Sequence, residues 1–159
     1  MLTPVRFKLG DTTVYSRAFE MWARQASNLT VPLREIGGLL IADVGEQFAS
    51  EGAWGGSSWA PLSDKYSAWK EIHYPSMPLL VASGAMRAAM LDPASSLDVS
   101  PQRLVYEPHS DIAIYHQEGS SAMPARPLID IPVVELREWD RAIVRWLQAT
   151  SDPLWGPFH

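Results

Sequence analysis

Asp111-Ile-Ala-Ile-Tyr-His-Gln-Glu-Gly119, followed after three residues by Met123-Pro-Ala-Arg-Pro127, is the stretch on which the reading of this fold turns. A short apolar segment delivers Tyr115, His116 and Gln117, and Gly119 then breaks the chain. The Ile112/Ile114 alternation fits a strand, and the same residues fit a single helical turn. Beyond it, Arg126 stands between Pro124 and Pro127. Each proline fixes its own φ and pushes the residue before it toward extended geometry. Arg126 is therefore a rigidly presented fork of donors, better suited to holding a carboxylate or backbone carbonyls than to turnover. A further extended strand is expected over 126–131.

Working back toward the N-terminus, the hydrophobic periods give helices. Tyr15, Phe19, Trp22 and Ala26 recur at helical steps and predict a helix over 13–27. Ile36, Leu40, Val44 and Phe48 form one apolar stripe, with Pro32 in the first turn, for a second helix over 31–50. Gly37, Gly38 and Gly45 lower its intrinsic stability by up to ~1 kcal/mol each relative to alanine and read as packing glycines. Residues 51–62 form a Gly/Trp loop that lacks the Gly-Lys-Ser/Thr of a phosphate cradle. Ser63 is placed to cap a helix that presents Tyr66, Trp69 and Ile72 and is closed by Pro75 and Pro78. Ser83 caps a shorter helix through Met86 and Met90, stopped at Asp92-Pro93.

The texture changes at residue 97. Leu97–Ser100 and Arg103–Glu107 are short β-prone runs either side of Pro101-Gln102 and predict a hairpin. From Val133 to about Ala149, Leu136, Trp139, Ile143, Trp146 and Leu147 share one helical face. The expected architecture is α+β, three to four helices packed on a small antiparallel sheet. It is read as one domain over 1–159, with an N-terminal helical extension (1–30), a core (31–148) and a C-terminal tail (149–159).

Composition bounds the function. At 159 residues and 47% hydrophobic content with seven tryptophans, the chain builds a real core and is no disordered segment. A formal charge of −5 argues against a nucleic-acid-coating surface, and no sequence-specific nucleic-acid partner is expected. Zero cysteines remove disulfides and thiolate sites. No apolar run approaches the roughly 20 residues of a membrane span, so a soluble domain without a membrane partner is expected. His73, His109, His116 and His159 show no paired ligand spacing, and neither a metal nor a cofactor is expected. Asp111, His116 and Glu118 lack a serine elbow or a second carboxylate motif, so no catalytic residue is assigned. Helical phasing sends Trp69, Trp139 and Trp146 to the core, leaving Trp54 and Trp155 as contact candidates.

Trp59-Ala-Pro-Leu-Ser63, Tyr66 and Lys70, Leu79-Leu-Val-Ala-Ser-Gly-Ala-Met-Arg87, Tyr115-His-Gln-Glu-Gly119 and Pro124-Ala-Arg-Pro127 follow one another in a recognisable order. The series resembles the virion morphogenesis proteins of tailed bacteriophages, the tail-completion or neck proteins, over roughly residues 30–148. Glu118 stands where an aromatic residue is common in the family, and Leu128 where Phe often follows Pro-Ala-Arg-Pro. The resemblance implies a non-catalytic structural role in the virion, at the neck or proximal tail, with assembly in the host cytoplasm. It implies partnership with other copies in a ring and with neck, tail-terminator or tail-tube proteins. A tail terminator or head–tail adaptor is the alternative within virus assembly. A small virion-associated hydrolase built on His116 and Glu118 is the alternative from another class. The candidate fold-latch or interface residues are Trp54, Trp59, Pro61, Leu62, Tyr115, His116, Gln117, Gly119, Pro124, Arg126 and Pro127. Bracing of the fold and direct contact with a neighbour both remain open for them.

Overall fold

A computed structural model describes residues 13–151. The tail from 152 onward, including Trp155 and His159, and residues 1–12 lie outside them, as does the side chain of Tyr15. The elements run α1 (Thr13–Ala26), α2 (Thr30–Ala49), a 3₁₀ turn (Ala53–Gly55), α3 (Asp64–His73), α4 (Ala85–Leu91), α5 (Pro93–Ser96), β1 (Leu97–Ser100), β2 (Arg103–Tyr106), α6 (Ala113–Glu118) and α7 (Val133–Ser151). The class is mixed α+β and helix-dominated. The described residues hold seven α-helices, more than the three to four expected, because α5 and α6 are too short to show a period.

Helix α2 is the axis of the molecule. It touches α4, α5, α7, both strands and the 3₁₀ turn. Its stripe of Ile36, Leu40, Val44 and Phe48 is buried as the period predicts, and Trp59, Val81, Met86, Met90 and Leu128 close over the same cluster. Burying one such side chain is worth about 1.5–3 kcal/mol, so this cluster dominates the apolar stabilisation. At Gly37, an added Cβ would lie 3.0 Å from Leu97 Cδ1, which is why β1 lies so close to the helix. The Leu29 N–H also donates to the Pro101 carbonyl at 2.6 Å, tying the hairpin turn to the start of α2.

The hairpin forms as expected, with β1 and β2 antiparallel and Leu97 opposite Tyr106. Tyr106 donates its hydroxyl to the Met90 carbonyl at 2.7 Å, and burial pushes that hydroxyl's pKa up to about 12. Helix α7 runs antiparallel to α2. Arg145 pairs with Glu35 near one end, and Trp139 and Glu135 act on Asp43 further along. Helix α1 packs on α7.

Two expectations fail, and one left open is decided. Residues 126–131 form no strand, because side chains take up the backbone groups of 127–129 and the Arg126 N–H goes to the His116 carbonyl. For segment 111–117, open between a strand and a helical turn, the helical alternative holds, as α6 (Ala113–Glu118). The aromatic face of α3 is not core: Tyr66, Trp69 and Ile72 are 45%, 42% and 77% exposed. Ser63 does cap α3, its hydroxyl accepting from the Tyr66 N–H, but the one buried residue of the helix is Lys70. Its ammonium donates to the Met77 carbonyl at 2.8 Å and to the Pro78 carbonyl. The rings instead stack outside, Tyr66 on Trp69 and Trp69 on His73. At α4 the cap position falls to Gly84, with Ser83 Oγ accepting from the Ala85 N–H at 3.4 Å.

Candidate functional site: a latch beside a cleft

The C-terminal end of α2, the loop that follows it, and segment 116–129 meet in one polar latch. Trp59 is buried and edge-on to Phe48, with ring centroids 5.5 Å apart. Its indole N–H donates to the Pro127 carbonyl at 2.8 Å, and Gln47 Nε2 donates to the same oxygen at 2.9 Å. Gln47 Oε1 accepts from the Gly55 N–H at 2.8 Å, so one amide joins the 3₁₀ turn to the latch. Gly52, at φ 93°, lies so close that a Cβ there would come within 2.5 Å of the Trp59 ring.

Arg126 is 4% exposed. Its Nε donates to the Ala60 carbonyl at 2.7 Å and Nη2 to the Pro61 carbonyl at 2.8 Å, while its own N–H donates to the His116 carbonyl at 2.7 Å. A planar fork with two bonded corners is a use that lysine cannot copy. Gln117 completes the set: Oε1 accepts from the Leu128 and Ile129 N–H groups, and Nε2 donates to the Ile129 carbonyl at 3.1 Å. Gly119 makes the turn between α6 and the proline segment. At φ 76°, a Cβ there would sit 2.6 Å from the Ala125 nitrogen.

The structure thus brings Trp59, Pro61, His116, Gln117, Gly119, Arg126 and Pro127 together. Pro61, Leu62, His116, Pro124 and Arg126 also line a cleft of about 680 Å³ between α3, α4 and α6. Tyr115 points elsewhere and is 58% exposed. Trp54 is half-buried, with its indole N–H sealed beside Asp43. His116 contributes through its carbonyl. Its ring Nδ1 is buried without a hydrogen-bond partner among the described residues, and burial together with the Arg126 charge lowers its pKa.

Gln47 and Asp43 are missed by motif reading, and Lys70 enters the motif series without any sign of its burial. A phase argument finds the first two, because Asp43 and Gln47 sit beside the apolar stripe of α2 and so must be buried with it. Asp43 is 6% exposed, and burial, with Glu135 next in effect, raises its carboxyl to about 6. The indoles of Trp54 and Trp139 pull the other way, yet Asp43 Oδ2 and both indole N–H groups lack a hydrogen bond of good geometry. No group of three or more metal-capable side chains exists among the described residues, and no helix of theirs is long and apolar enough to cross a membrane.

The motifs that build this latch are those of one family, whose model matches residues 11–148. The chain belongs to the phage virion morphogenesis family. The match takes in α1 as well as the segment from residue 30 onward that carries the motif series. Comparison with curated proteins and with solved structures returned no match. As a phage virion morphogenesis protein, the chain has a role in building the virion.

Proposed function

We propose that this protein completes the tail or joins head and tail at the neck, as a non-catalytic component acting in a ring of identical copies. Family membership supplies the assembly role. The observation that carries the structural reading is how the latch uses its polar groups. Trp59, Gln47, Gln117 and Arg126 direct their hydrogen bonds to the chain's own backbone, and so hold a rigid shape. A rigid wedge with fixed faces suits a closed cyclic layer, where one patch must repeat against its neighbour.

Complementation of a gene-deleted phage tests this reading. The expected outcome of the deletion is separated heads and tails, rejoined by the unsubstituted gene. His116→Gln should join them as well, since the carbonyl and not the ring serves the latch. Complete particles without infectivity for both the deletion and His116→Gln would overturn it in favour of an enzyme, because proton transfer needs a titrating group. Imaging of isolated necks distinguishes tail completion from a tail terminator or head–tail adaptor by the layer the chain occupies.

A further inference from the structure

Among the described residues, Arg126 is a buried cation without a counter-ion. The ion pairs of the described residues are Arg103–Asp98, Arg141–Glu138 and Arg145–Glu35, and none involves it. Two of its five N–H donors serve the Ala60 and Pro61 carbonyls, which leaves three. Buried charges are ordinarily paired, and an unpaired one is costly. Lys70 lines the same cleft, also bonded only to carbonyls, and His116 adds its unpartnered Nδ1. Among the described residues no aspartate or glutamate lines the cleft, and the remaining wall is largely apolar, with Leu62, Tyr66, Met86, Ile112 and Met123. The chemistry that fits is a carboxylate next to large apolar side chains on an extended peptide.

The chain carries such a segment beyond Ser151: Asp152-Pro-Leu-Trp-Gly-Pro-Phe-His159. It supplies one carboxyl side chain, Leu154, Trp155 and Phe158, and two prolines that pre-set extended geometry. In its own cleft, the proposed seats of Asp152 and Trp155 are out of their reach. Helix α7 passes Asp43 at Trp139 and runs another 12 residues to Ser151, while Gln47 and the latch lie one turn of α2 the other way. At 1.5 Å per residue those two stretches put Ser151 about 24 Å from the latch. From Ser151, Trp155 reaches at most about 14 Å.

We propose that the cleft beside Arg126 receives segment 152–159 of another copy of this chain, with the Asp152 carboxylate against Arg126 and Trp155 among the apolar wall residues. The contact is head-to-tail, and such contacts close into rings when the rotation permits. It rests on the assembly reading only for the reason copies meet, and its test needs no virion.

The test titrates an end-labelled, amidated peptide of residues 152–159 with the full-length chain carrying Trp155→Ala, so that the chain's own tail does not compete. Saturable binding is expected. Asp152→Asn and Trp155→Ala in the peptide should each weaken it about tenfold or more, the loss of a charge-assisted contact or an aromatic anchor. Ile112→Glu, placed at a half-exposed position on the cleft wall, should weaken it similarly by repelling Asp152. Trp22→Ala, in the apolar groove between α1 and α7, should leave it unchanged. Absence of saturation at about millimolar peptide, indifference to both peptide substitutions, or loss of binding with Trp22→Ala would each overturn the proposal. The peptide variants keep the test decisive even if a substitution in the chain disturbs folding.

Discussion

Two buried polar sets flank the last turns of α2, and they are built on opposite principles. On one side Gln47, Trp59, Gln117 and Arg126 meet backbone carbonyls and N–H groups at 2.7–3.1 Å. On the other, Asp43, Trp54 and Trp139 bring a carboxyl and two indole N–H groups into one sealed space without a good hydrogen bond. A satisfied network fixes one conformation, whereas an unsatisfied one takes stability from the fold and makes it responsive to protons. The same helix therefore carries a clamp and a weak point one turn apart.

Breaking the clamp should have the largest effect. Arg126→Ala removes two charge-assisted bonds and strands the Ala60 and Pro61 carbonyls, an expected loss of about 3–5 kcal/mol by urea denaturation. Arg126→Lys should recover less than half of that, since one ammonium cannot span both carbonyls in the fork geometry. Gly119→Ala should follow, at about 2–3 kcal/mol, because positive φ and a contact with the Ala125 backbone act together.

The weak point should respond with the opposite sign. A carboxyl raised from 3.8 to about 6 contributes stability that is fully present below pH 4 and lost as pH rises through about 6. Asp43→Asn should therefore raise stability at pH 7.5 by up to about 2–3 kcal/mol and flatten the pH dependence between 4 and 7, measured by thermal unfolding across that range. At pH 4 the gain should vanish. Smallest of all, Trp69→Ala should cost less than about 1 kcal/mol, because its half-exposed ring meets Tyr66, His73 and Tyr74 on the surface. A larger loss would mean that α3 is held by its aromatic face and not by Lys70.

Legibility in the sequence divides along the same line. Helices α2 and α7 show plainly because their apolar positions repeat over five turns, and the hairpin shows because Pro101-Gln102 separates two β-prone runs. Arg126 is legible as a locked fork, and carbonyl acceptors are among its expected partners. Helix α3 misleads because periodicity reports an apolar face without saying whether anything covers it. The clamp acceptors are hidden for a different reason: carbonyls at 60, 61, 127 and 129 look alike in any sequence, and only the fold chooses among them. Asp43 is a polar residue on an apolar helix, so its burial follows from phase, but its orphaned oxygen follows only from the placement of two indoles.

The span of the clamp governs what happens during synthesis. Trp59 waits for an acceptor 68 residues further along the chain, and Gln47 for the same oxygen 80 residues on. At 5–20 residues per second, the ribosome leaves that indole uncovered for roughly 3–14 s. Throughout that interval the Gly/Trp loop has only its local bonds to Gln47 and Glu51 to hold it. Arrival of Pro127 ends the interval, so the latch can close before α7, the last helix made, packs onto α2.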